Sequence, residues 1–102
     1  GVVMVTKGLI VRLEAKPGLE EELASFLRDA LPLVQAEAET TAWLALRAGA
    51  TSFAIVDVFP DDAGRQAHLD VAVARALVGR AAELLAEPPD IEPTDVLAAK
   101  LP

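Results

Sequence analysis

The chain has no cysteine and no tyrosine, and one histidine, one methionine and one tryptophan among its 102 residues. Without cysteine there is no disulfide framework, no thiolate metal cluster and no thiol nucleophile, whatever the redox compartment. A single histidine excludes a histidine-rich metal site within one chain. Basic residues are scarce as well: nine against sixteen acidic ones give a net charge of −7. Such a balance repels polyanions, so no nucleic acid partner is expected. No apolar run approaches the roughly 18 residues that a membrane span requires, so no membrane partner is expected either. Residues 1–6 lack the basic region and long apolar stretch of a signal peptide, and a soluble, cytoplasmic protein is expected.

What is abundant is apolar but small. Hydrophobic residues make up 53% of the chain, yet alanine supplies 20 of them and leaves 34 side chains with real bulk. A domain of about 100 residues buries only around two thirds of its unfolded surface. A core so poor in aromatics needs help, and the surplus apolar residues must be covered somehow.

Hydrophobic periodicity divides the chain. Residues 3–15 alternate, with Val3, Val5, Leu9, Val11, Leu13 and Ala15 on one face, which predicts a strand. Lys7 interrupts that face, and Gly8 marks a bulge or a close backbone approach. Lys16, Pro17 and Gly18 make a turn. Leu19, Leu23, Phe26, Leu27, Ala30, Leu31 and Val34 then recur at helical spacing, predicting a helix over 19–36 with Glu20, Glu21 and Glu22 at its positive end and a bend or early stop at Pro32. Residues 41–47 and 52–59 read as two strands of a hairpin around Gly49. Trp43 and Ala45 share one face of the first; Phe53, Ile55, Asp57 and Phe59 share one face of the second.

Neither face of this hairpin is properly polar, since Leu44, Leu46, Ala54, Val56 and Val58 occupy the alternate positions. A solvated sheet face would carry Thr, Lys or Glu there. Asp61 or Asp62 offers an N-cap, and Leu69, Val73, Ala76, Leu77, Ala81 and Leu84 continue at helical spacing until Pro88 and Pro89. Gly79 inside that stretch suggests close packing. Residues 91–101 are the last expected strand, with Pro93 suited to a strand start or an edge.

The order strand, helix, strand, strand, helix, strand is the split βαβ pattern of ferredoxin-like α+β folds, with an antiparallel sheet and one domain over 1–102. Both helices then cover one sheet face. The other face, apolar as well, is most naturally buried against the same sheet of a second copy, so a homodimer is expected.

With Phe53-Ala54-Ile55-Val56-Asp57-Val58-Phe59-Pro60-Asp61-Asp62, Gly64-Arg65-Gln66-Ala67-His68-Leu69 and Leu84-Leu85-Ala86-Glu87-Pro88-Pro89 in view, the chain resembles the antibiotic biosynthesis monooxygenase family of dimeric α+β barrel proteins. The resemblance spans nearly the whole chain, from Lys16-Pro17-Gly18 to residues 95–102. It implies two ferredoxin-like subunits joined by their sheets, with a pocket between sheet and helices in each. It also implies oxidation of quinols or polycyclic phenols by O₂ with neither metal nor flavin, although relatives of this fold degrade haem or have no known activity. The family's third strand often ends Glu-x-Trp, where this chain holds Asp57 and Phe59. Its Ala-His-Leu is present as Ala67-His68-Leu69. Val73 stands where a second histidine is common, and Ile55 where the best-studied enzymes have asparagine.

Cofactor-free oxygenation needs a substrate that gives an electron to O₂, so the protein must deprotonate a phenol and hold its anion in a dry pocket. His68 is the one side chain that titrates near neutrality. Asp57 could orient it or act as the base itself. These are the candidate catalytic residues, with Trp43, Phe53, Ile55 and Phe59 as the apolar walls for a small aromatic substrate. The plainer readings are that His68 packs or caps a helix, and that Asp57 pairs with Arg65, Arg47 or Lys7. Trp43 then serves the core or a dimer interface, and the Lys7 stem packs with its head in water instead of meeting an anionic substrate. A non-catalytic ligand-binding or structural homodimer is the competing function, and haem degradation with His68 as axial ligand a third. Gly49, Gly64 and Gly79 match no phosphate loop, and Glu20 to Glu22 read as a solvated helix start.

Overall fold

The computed structural model describes residues 4–71, 79–80 and 83–102. Strand β1 (Lys7–Glu14) leads into helix α1 (Glu20–Asp29) and the short α2 (Leu31–Gln35). Strands β2 (Ala42–Ala48) and β3 (Ser52–Phe59) form the hairpin, and α3 (Asp62–Asp70) and β4 (Asp90–Asp95) follow. The sheet is antiparallel throughout, in the order β2-β3-β1-β4. This is the ferredoxin-like α+β fold.

Parity of the strands decides what lies inside. Leu9, Val11 and Leu13 of β1 and Phe53, Ile55, Asp57 and Phe59 of β3 are all buried. Against them pack Leu23, Ala24 and Leu27 of α1 together with Leu84 and Leu85. Each fully buried Leu or Phe contributes about 1.5–3 kcal/mol by leaving water. The turn at 16–18 forms as expected, with Gly18 at φ 87°, a left-handed conformation that favours glycine. The expected bend near Pro32 is a break between two helices: α1 stops at Asp29, and Pro32 sits in the first turn of α2, where its missing N–H costs least.

Gly8 is a close approach. A Cβ there would lie 2.8 Å from Thr94 Oγ1 and 3.1 Å from the Asp57 carbonyl, so glycine lets β1 draw β3 and β4 together beside Asp57.

Three expectations change. The strand expected over 91–101 ends at Asp95, which pairs with Lys7 at the start of β1. Beyond it, among the described residues, only the Val96 N–H makes a backbone bond, to the Thr6 carbonyl, so the alternation has no described strand to pair with, and Leu97 is 97% exposed. The first strand, expected over residues 3–15, spans Lys7–Glu14, and Val3 lies outside the described residues. Gly79 does not mark close packing: a Cβ there would meet nothing within 4 Å among the described residues. Val73, Ala76, Leu77 and Ala81, expected on the second helix, lie outside the described residues. Pro93 occupies the edge strand β4, where its missing N–H leaves no ladder bond unmade.

The outward sheet face carries a direct cross-strand row of Leu44, Val56 and Ile10, with Leu46, Ala54 and Val58 around it. Leu44 and Leu46 are 52% and 45% exposed. At the β4 edge this face turns polar, where Arg12 bonds Glu92 at 2.9 Å.

Helix α3 starts directly after β3 because Asp61 caps it, its carboxylate accepting the Gly64 N–H at 2.9 Å. Replacing Asp61 with Ala is expected to lower stability by about 1 kcal/mol, read as a shift in the thermal unfolding midpoint. Because α3 carries the histidine of the candidate site, the same variant should also weaken the contacts described next.

Candidate functional site

Asp57 sits on the inward face of β3, opposite Trp43 of β2 on one side and Leu9 of β1 on the other. It is 1% exposed among Ile55, Phe59 and Leu9, an apolar setting in which a carboxylate needs a counter-charge. That counter-charge comes from α3. His68 Nε2 lies 2.9 Å from Asp57 Oδ2, although the contact is ionic and not aligned as a hydrogen bond. The other ring nitrogen, Nδ1, lies 2.6 Å from Glu37 Oε1. Glu37 is supplied by the connection between α2 and β2, and the Thr40 hydroxyl donates to the same Oε1 at 2.8 Å. The Phe59 ring packs against the imidazole, with centroids 5.4 Å apart.

Both ring nitrogens of His68 therefore face carboxylate oxygens. A neutral imidazole would point a lone pair at one of them, whereas an imidazolium presents positive charge to both. Burial alone would lower the histidine pKa, but Asp57 and Glu37 together outweigh it and raise the value above the ordinary one. Its position in the last turn of α3 adds to this, since a helix C-terminus favours a cation. The imidazole is held between two carboxylates, which favour its protonated form.

Arg65 keeps the helix in place. Its Nη1 donates to the carbonyls of Gly8 at 3.2 Å and Thr94 at 3.0 Å, and its Nη2 pairs with Asp62 at 2.7 Å. The partner of Asp57 is thus His68, and none of the three basic residues weighed from the sequence: Lys7 pairs with Asp95 and Arg47 with Glu21.

The structure brings Asp57, His68 and Phe59 together, places Trp43 across the strand from Asp57 and leaves Ile55 as the next inward residue on β3. Phe53 is four residues from Asp57, about 13 Å along the strand. It instead lies under the Arg47 guanidinium and lines a small cavity of about 100 Å³ with Ala24, Leu27 and Ala45. Glu37 was not legible in the sequence, because a loop acid 31 residues before the histidine carries no spacing signal. Among the described residues no group of three or more histidines and acids is arranged to hold a metal ion. A haem iron does not fit either, since both nitrogens of His68 are engaged by carboxylates.

No protein-family model and no curated protein matches the chain. Solved structures do. The NE2512 protein of Nitrosomonas europaea, of unknown function, is 55% identical over 99% of this chain and 98% of its own, with a TM-score of 0.96. PA3566 from Pseudomonas aeruginosa is 23% identical over 96% of this chain and all of its own, at a TM-score of 0.80. A candidate antibiotic biosynthesis monooxygenase from Nitrosomonas europaea is 18% identical over 90% of each chain, also at 0.80. The last two share the fold. The chain belongs to the same family as the NE2512 protein, and its fold is that of the antibiotic biosynthesis monooxygenases.

Proposed function

We propose that the protein is a cofactor-independent monooxygenase that oxidises a quinol or polycyclic phenol with O₂. The observation that carries this reading is the buried Asp57–His68 pair, a carboxylate and an imidazole 2.9 Å apart beside the Phe59 ring. With His68 already protonated, Asp57 takes the phenolic proton, and the imidazolium supplies the positive charge that favours the phenolate. The phenolate then transfers an electron to O₂, and the superoxide and phenoxyl radical combine at a ring carbon. One oxygen atom stays as a carbonyl, and the other leaves as water with two substrate hydrogens. Glu37 holds the imidazole from behind, and Phe59 and Ile55 exclude water.

The test is O₂ uptake with a panel of naphthohydroquinones and anthrones in the presence of a chelator. One O₂ should be consumed per substrate. The rate should fall about 100-fold or more in Asp57→Asn. No uptake across the panel, or an unchanged rate in Asp57→Asn and His68→Ala, would count against the reading and favour a non-catalytic ligand-binding homodimer.

The outward sheet face supports a second part of the proposal, a homodimer through the sheets. The row Leu44, Val56 and Ile10 is apolar and lies across three strands. A two-fold axis through it would set the same patch of each copy against the other.

A further inference from the structure

Three buried polar atoms in the site have no hydrogen-bond partner among the described residues: Trp43 Nε1 and both carboxylate oxygens of Asp57. Of these, Asp57 Oδ2 has its charge offset by His68 at 2.9 Å. Trp43 Nε1 and Asp57 Oδ1 have no partner among the described residues. Buried polar groups are almost always satisfied in folded proteins, so this donor and this acceptor are meant for something else. They are also neighbours. Trp43 and Asp57 stand directly opposite one another in the β2–β3 register, on the inward face, where side chains of paired residues meet. Yet they do not bond to each other. The indole is held by Ala30 and Val34 of the α1–α2 corner, so it is not free to swing across and close the pair.

We propose that Trp43 and Asp57 together form a binding site for one hydroxyl group, that of a phenolic ligand. The indole N–H donates to the hydroxyl oxygen, and the hydroxyl donates its proton to the Asp57 carboxylate. A hydroxyl is at once donor and acceptor and satisfies both groups, whereas an ether or a ketone satisfies the indole alone. Trp43 is then a polar anchor that selects for a free hydroxyl, and not merely an apolar wall. The inference rests on the phenol reading above and sharpens it, because the hydroxyl so held is the one that loses its proton.

The chain has a single tryptophan, so its one indole N–H resonance reports this site unambiguously. Under anaerobic conditions, 1-naphthol should shift that resonance in a saturable way. Naphthalene capped as 1-methoxynaphthalene should bind about 10-fold more weakly or worse, since it leaves Asp57 unpaired. Trp43→Phe keeps the ring and loses the N–H. It should weaken 1-naphthol about 5-fold or more, and the methyl ether, whose oxygen also accepts the indole N–H, by a similar factor. An indole resonance that 1-naphthol does not move overturns the proposal, even if Trp43→Phe fails to fold; equal affinity for the two ligands overturns it as well. The outcomes separate from those for catalysis. Hydroxyl-selective binding without O₂ consumption upholds this site and removes the oxygenase. Consumption of O₂ with an unchanged KM in folded Trp43→Phe does the reverse.

Discussion

Replacing His68 with Ala is expected to cost about 3–5 kcal/mol, the penalty for removing one partner of a buried ion pair. The reason is geometric. Asp57 is 1% exposed and would lose the cation 2.9 Å away, and Glu37 would lose the one at 2.6 Å. Two facing carboxylates would remain in an apolar setting. For a domain whose whole stability is about 5–15 kcal/mol, such a loss should lower the unfolding midpoint by roughly 15 °C or more. Adding Asp57→Asn to the His68→Ala background should restore part of the loss, about 1–3 kcal/mol, because it removes the stranded charge. Strict additivity of the two changes would mean that the residues do not act as a pair.

The same cluster fixes a pH dependence. His68 has a folded-state pKa above the ordinary value near 6.5, so the folded protein holds the proton more tightly than the unfolded chain. Its stabilisation is fully present below about pH 6.5 and is lost as the pH rises through the folded value. Wild type should therefore lose stability as the pH rises from about 6.5 through that folded value. The His68→Ala variant should lack that component of the slope. Chemical denaturation at a series of pH values measures both.

Placing a charge at the centre of the outward sheet face is the second large expected effect. Val56 lies between Leu44 of β2 and Ile10 of β1. In a two-fold dimer through this face, Val56→Lys would bring two ammonium groups into one desolvated patch. An uncompensated charge in such a place costs several kcal/mol, so the dimer should dissociate at least about 100-fold more readily. Sedimentation of wild type at micromolar concentration should give a dimer, and the Val56→Lys variant a monomer with unchanged secondary structure. A wild-type monomer would contradict the sheet-to-sheet arrangement directly.

Strand parity was the most informative signal in the sequence. The alternation over 52–59 already put Asp57 on the same face as Phe53, Ile55 and Phe59, and that parity is what makes its charge costly. The polarity of α3 was equally legible, because Asp61 follows Pro60 at the end of a strand and caps the helix. The identity of the partner of Asp57 was not. Lys7 and Arg47 pair with carboxylates nearer the surface, and Arg65 is held by Asp62 and by the Gly8 and Thr94 carbonyls. Glu37 depends on a loop whose path follows from where α2 ends. Its distance from His68 is a product of the fold and not of local pattern. The end of the last strand failed for a related reason: the apolar alternation at Val96 and Ala98 continues past the point where β1 can pair with it. The surplus of small apolar residues finds its place on the outward face of β1, β2 and β3, and not on β4, whose outward residues Asp90, Glu92 and Thr94 are polar.

If Asp57 and Glu37 clamp His68 as a cation, its single imidazole makes that directly measurable. In a ¹⁵N-detected titration of the uniformly labelled protein, both ring nitrogens should carry protons below a midpoint that lies above 6.5. A neutral tautomer at about pH 6.5, with one nitrogen unprotonated and a midpoint below that value, would contradict it.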